Sequence, residues 1–155
     1  MNPGTIDERL VMENVQRARD TYAAFLRGDL DAVMRDMADD VEWVMPGPSD
    51  LPWAGTVRGR QALEAWFGTL AQGTDIQRFE PYQFISQGDT VVILIHAESV
   101  VRHNQRRYPN ELAQVWTYRG GKIIRSQAFE DTAAAVAAYR GDKLPGRQRR
   151  DRVFG

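Results

Sequence analysis

Two groups of side chains in this sequence could do chemistry, and they lie on opposite faces of one hairpin. A tight turn at Asn104-Gln105 between two β-rich runs would pair Val101 with Tyr108, Ser99 with Asn110, Ala97 with Leu112 and Ile95 with Gln114. Strand alternation then gives one face Ile93, Ile95, Ala97, Ser99, Asn110, Leu112, Gln114 and Trp116. That face is apolar apart from Ser99, Asn110 and Gln114, neutral groups that suit the orientation of an apolar guest. On the last strand Ser126, Ala128 and Glu130 share a side. If this side faces in, Glu130 is the carboxylate placed at the cavity and the candidate for acid-base catalysis. The other hairpin face carries His96, Glu98 and Glu111, with Glu98 opposite Glu111. Turned inward these would form an acid-base group with split pKa values; turned outward they are a polar patch. A one-residue slip of register would exchange the two readings.

Composition narrows the chemistry further. The 155 residues include no cysteine and two histidines, His96 and His103, so thiolate and three-histidine metal sites are excluded. There is no dinucleotide fingerprint or phosphate loop, and no metal or cofactor is expected. A formal net charge of −1 gives no reason to expect nucleic acid as a partner. The polar start, Met1 to Glu13, has no apolar core of a signal peptide. No apolar run approaches the roughly 18–20 residues of a membrane span. The expectation is a cytoplasmic protein with no membrane partner. Residues 1–139 read as one domain and residues 140–155 as a basic, solvated tail.

The elements that must hold these residues read as helices first and strands after. Val11, Val15, Ala18, Tyr22, Phe25 and Leu26 give helical spacing over 10–27, and Gly28 stops it. Asp29 can cap a short helix carrying Leu30, Val33, Met34 and Met37. Residues 41–45 read as a strand with Trp43 and Met45 on one side. The Pro/Gly-rich stretch 46–59 reads as ordered turns with no element of its own. A third helix spans about 60–70. Strands follow over 77–86, 90–101, 108–118 and 122–130, and a closing helical turn over 133–139. Tyr22, Trp53, Trp66 and Phe67 can close on Trp43 and Met45 as aromatic walls. Trp53, in the loop, is placed to lid a pocket mouth. This is an α+β layout with helices on one face of a curved sheet.

Several short signatures coincide in order: Gly28-Asp29-Leu30, Met37-Ala38-Asp39-Asp40-Val41, Pro52-Trp53-Ala54-Gly55, Arg58-Gly59-Arg60, Gly88-Asp89, Tyr118-Arg119-Gly120-Gly121-Lys122-Ile123 and Phe129-Glu130-Asp131. Over about residues 10–139 the chain resembles the nuclear-transport-factor-2-like superfamily, in its SnoaL-like and ketosteroid-isomerase-related branch. The resemblance implies a cone-shaped, curved antiparallel sheet wrapped around N-terminal helices, an apolar pocket, and dimerisation through the outer sheet face. It also implies which catalytic groups are missing. Met45, before Pro46, matches the aspartate base of the related isomerases. Gln114 matches their oxyanion-hole acid, and Thr21 or Tyr22 their oxyanion tyrosine. Ala128 matches the acid-base aspartate of the SnoaL-type polyketide cyclases. Methionine cannot abstract a proton, so steroid isomerisation is not expected.

The functional expectation is binding of a small apolar or aromatic molecule, with or without acid-base turnover of isomerase, cyclase or hydrolase type. Its lining is drawn from Tyr22, Trp43, Met45, Trp53, Trp66, Ser99, Asn110 and Gln114. The alternative is a non-enzymatic ligand-binding accessory protein or a dimeric scaffold. A homodimer is expected because Val92, Leu94, Ala113 and Val115 would otherwise form an exposed apolar patch.

Overall fold

The computed structural model describes residues 8–145. Its elements are α1 (Glu8–Leu26), α2 (Leu30–Arg35), β1 (Met37–Met45), β2 (Gly55–Arg58), α3 (Arg60–Gly73), β3 (Thr74–Gln87), β4 (Thr90–Val101), β5 (Arg106–Arg119), β6 (Lys122–Glu130) and α4 (Thr132–Arg140). The strands form one unclosed sheet in the order β2-β1-β6-β5-β4-β3. All neighbours run antiparallel except β1 and β6, which are parallel and set Trp43 beside Ser126. Helices lie against the inner face, so the fold is the expected α+β cone.

Local chemistry explains most boundaries. Gly28 ends α1 at φ 77°, a left-handed conformation that favours glycine. The Asp29 carboxylate accepts from the Ala32 amide at 3.0 Å and caps α2. Asp131 does the same for α4, accepting from the Ala134 amide at 3.1 Å.

The departures have tertiary causes. Residues 46–59 do contain an element: β2 pairs antiparallel with β1, Met45 opposite Gly55 and Glu42 opposite Arg58. A four-residue edge strand rich in Gly and Thr has little propensity of its own and exists because β1 offers it a ladder. Strand β1 begins four residues early because Met37 pairs with Ile123 across the sheet. The hairpin turn spans four residues, 102–105, with Gln105 at φ 59°. The register therefore differs by two from the expected one: Ser99 faces Tyr108, Ala97 faces Asn110, Ile95 faces Leu112 and Ile93 faces Gln114. A shift of two keeps every side chain on its face. Asn104, read as the hairpin tip, instead ties the turn to α4, donating from Nδ2 to the Ala138 carbonyl at 2.8 Å.

Helix α4 extends to Arg140, one residue into the segment read as tail, and its guanidinium holds Asp50 through two hydrogen bonds of 2.9 Å. The rest of the basic tail from Gly146 lies outside the described residues. Among the described residues no helix is long and apolar enough to cross a membrane.

Candidate functional site

The alternation of β4 and β5 builds the site. Ile93, Ile95, Ala97, Ser99, Asn110, Leu112, Gln114 and Trp116 are all buried, while Val92, Leu94, His96, Ala113 and Val115 are only partly covered. The mainly apolar face is thus the inner one. It encloses, with α1, α3 and β1, a cavity of about 780 Å³ of space between atoms, its open mouth included.

Aromatic rings make most of the wall. Tyr22 stacks on Trp116 with ring centres 4.7 Å apart and planes 5° from parallel. Trp43 meets Trp66 at 5.7 Å, Phe67 at 5.8 Å and Trp116 at 6.5 Å. Met45 lies beyond Trp43 on the same side of β1, and Thr21 also reaches the lining. All four tryptophans of the chain line this one cavity.

Trp53 lines it too, but as a wall rather than a lid. It is 2% exposed, its ring lies edge-on to Tyr139 at 5.7 Å, and its carbonyl accepts from Trp66 Nε1 at 2.9 Å. Loop position did not mean exposure, because α3 and α4 close over the indole from both sides.

The polar groups come in satisfied and unsatisfied sets. Gln114 Oε1 accepts from the Tyr22 hydroxyl, and Trp116 Nε1 donates to Ser126 Oγ at 3.1 Å. Asn110 Nδ2 donates to Glu130 Oε2 at 2.7 Å. Trp43 Nε1, Asn110 Oδ1 and Glu130 Oε1 are buried with no partner. Ala128, at 2% exposure, is buried beside Gln114, so the position matched to the cyclase aspartate carries only a methyl and is not among the residues that line the cavity.

Because Gln114 has a protein partner, Gln114→Leu is expected to lower stability by about 1–3 kcal/mol, the cost of leaving the Tyr22 hydroxyl without an acceptor. Thermal unfolding checks this; an unchanged melting temperature would mean that hydroxyl has another acceptor.

Among the described residues Glu130 is the one carboxyl in the lining, and no Lys, Arg or His joins it there. Burial pushes its pKa above the ordinary 4.5; the Asn110 amide opposes the shift and Asp131 adds to it. Tyr108, on the same inner face, is raised to about 12 by burial and by the Glu130 charge, against a hydrogen bond with Ser99. Burial likewise raises the Tyr22 phenol. Tyr108 and Phe79 were not singled out from sequence. Tyr108 shares its parity with Asn110 and could have been; Phe79 enters only through the pairing of β3 with β4, opposite Ala97.

The second group, His96, Glu98 and Glu111, is on the outer face, and its predicted pairing does not form. The register places His96 opposite Glu111, with Nδ1 2.7 Å from Oε2, and Tyr82 stacks on the imidazole at 4.0 Å. Glu98 lies opposite Pro109 and pairs with Arg107. Among the described residues no cluster of His, Cys, Asp and Glu could hold a metal ion.

Known proteins share both the sequence and this architecture. The family model described as SnoaL-like domain matches residues 18–126. The uncharacterized protein Rv0034 of Mycobacterium tuberculosis is 32% identical over 122 residues, 78% of this chain and 91% of that protein. An NTF2-like protein of Burkholderia xenovorans LB400 is 32% identical, with a TM-score of 0.76 over 83% of this chain and 97% of its own. TerC, crystallised with polyporic acid, is 26% identical, with a TM-score of 0.74 over 83% of this chain and 98% of its own.

Proposed function

The chain belongs to the SnoaL-like family of NTF2-like proteins, and from that premise we propose that its cone binds an uncharged, flat aromatic molecule and transfers a proton to or from it at Glu130. The observation that carries this reading is the Asn110–Glu130 pair, which holds the only acid that the described residues bring to a cavity walled mostly by aromatic and aliphatic side chains with a few neutral polar ones. The described lining has no cation, so it gives a ligand anion nothing to repay its desolvation. Stacked indole and phenol rings favour a planar guest. That the relative TerC was crystallised with polyporic acid supports a pocket for a small organic guest in this architecture.

With a single carboxyl, the chemistry is the kind that moves one proton at a time: isomerisation, cyclisation or dehydration. Met45 supplies no base, so steroid isomerisation is not part of the proposal. A carrier that binds without turnover is the second reading. It is favoured because the described residues bring no second carboxylate and no histidine to the lining.

Four tryptophans in one cavity make intrinsic fluorescence the test. Titration with biphenyl, 4-hydroxybiphenyl and 4-acetylbiphenyl should give saturable changes. The substituted compounds should bind about two- to tenfold tighter than biphenyl, since one hydrogen bond to a buried group is worth about 0.5–1.5 kcal/mol. No saturable change with any of the three would reject the binding reading.

A further inference from the structure

Glu130 and Asn110 form one bonded unit with two oxygens left over. Asn110 Nδ2 donates to Glu130 Oε2 at 2.7 Å, while Asn110 Oδ1 and Glu130 Oε1 are both buried and partnerless. An ionised carboxylate only accepts hydrogen bonds, and so does an amide oxygen, so neither can satisfy the other. A proton on Oε1 would turn that oxygen into a donor. A protonated carboxyl can donate to an amide oxygen while the amide N–H donates back, two antiparallel hydrogen bonds in one ring. Amide orientation does not alter the count: turning Asn110 over would set two acceptor oxygens 2.7 Å apart, and that contact also needs a proton between them.

We propose that Glu130 rests protonated at neutral pH as half of a cyclic acid–amide pair with Asn110, and that the site meets its guest as a neutral hydrogen-bond donor to a carbonyl oxygen. On binding, the Oε1–H turns from Asn110 Oδ1 to the carbonyl of a ketone, aldehyde or ester, and Nδ2 keeps hold of Oε2. Asn110 is thus a positioning residue. The surroundings agree. The ionisable groups near Glu130 are Tyr108 from β5, Tyr22 from α1 and Asp131 at the end of its own strand; α2, α3, β1, β3 and β4 bring none to the cavity lining. Among the described residues no cation lines the cavity to hold the ionised form, and burial favours the neutral one. The carbonyl half of the inference rests on the binding proposed above; the protonation half is read in the empty protein.

Glu130→Gln preserves the pair, because the new amide N–H donates to Asn110 Oδ1 as the acid did. Infrared difference spectra at neutral pH should show a protonated-carboxyl carbonyl band in the wild type that the variant lacks; a carboxylate band in its place would overturn the proposal. The sign of the pH effect follows from the raised pKa. The stability tied to Glu130 is present below its unfolded value, near 4.5, and is lost as pH rises through the folded value. Wild type should therefore compare best with Glu130→Gln below about pH 4.5 and fall behind it progressively as pH rises from there through the folded value, neutrality included. A wild type clearly more stable than the variant at neutral pH would mean an ionised, charge-assisted pair and would overturn it. If the variant does not fold, a ¹³C-carboxyl titration of the wild type decides alone: one glutamate resonance should keep its protonated shift through neutrality. Fluorescence titration should show 4-acetylbiphenyl binding to both proteins and biphenyl-4-carboxylate to neither. Preference for the carboxylate would overturn the carbonyl half. Loss of all binding with the protonated band present would overturn the binding reading and leave the protonation standing.

Discussion

Trp53→Ala is expected to lower the unfolding free energy by about 3–5 kcal/mol, the range for emptying a buried tryptophan site. For a chain of this size that is about 6–20 °C in melting temperature. The indole is 2% exposed and joins three parts of the fold. Its ring meets Tyr139 of α4, and its six-membered ring lies against Gly73 at the end of α3, where an added Cβ would come within 2.6 Å of a ring carbon. Its carbonyl, which accepts from Trp66, survives the substitution, so the loss is of packing. The same contact predicts coupling. Gly73→Ala should destabilise the wild type but cost much less beside Trp53→Ala, because the ring that it strikes is gone. Equal effects of Gly73→Ala in both backgrounds would show that the indole does not press on α3, and the large cost predicted for Trp53→Ala would lose its basis.

Ala97→Phe is expected to abolish saturable binding of every biphenyl while leaving a folded protein. Ala97 lies on the inner face of β4, with Phe79 opposite on β3 and Asn110 opposite on β5. A benzyl group there projects into the cavity beside the Asn110–Glu130 pair. Overpacking of a filled core costs about 1–3 kcal/mol, and a ring that enters existing space should fall at the low end. Fluorescence titration and thermal melting on one sample separate the two effects. Wild-type affinity in a well-folded Ala97→Phe protein would place the guest elsewhere and remove the cavity from the proposed function.

Much of this was legible in the sequence because it depends on parity and period. Asn110 and Gln114 were assigned to the inner face correctly even though the hairpin register was off by two, since an even shift leaves faces unchanged. The outer group fared worse for the same reason. Which residue sits opposite Glu98 depends on the register itself, and the four-residue turn moved Glu111 to His96. Strand β2 was hidden because its existence depends on an edge that β1 presents only after folding. In the site, Glu130 was identified as the carboxyl of the last strand. Its bond to Asn110 could not be read in advance, because it reaches diagonally across a ladder in which Glu130 lies opposite Leu112. Trp53 shows the limit of reasoning from loop composition. Prolines and glycines mark where the chain turns, not whether the side chain between them is covered.

The parallel pairing of β1 with β6 has a consequence for how the molecule comes into being. Residues 42–44 take as neighbours residues 125–127, which are made last among the strands. The β3–β6 meander can zip locally from its own turns, but β1, with β2 attached, must wait on an open edge until β6 has arrived. Such long closures slow the search for the native state. During synthesis β1 therefore lacks its β6 partner until most of the sequence has emerged, although Trp66 and Phe67 of α3 are made in time to cover Trp43. An open strand edge of this kind invites self-association. Slow translation late in the chain would prolong that exposure, and a chaperone that covers residues 37–45 would shorten it.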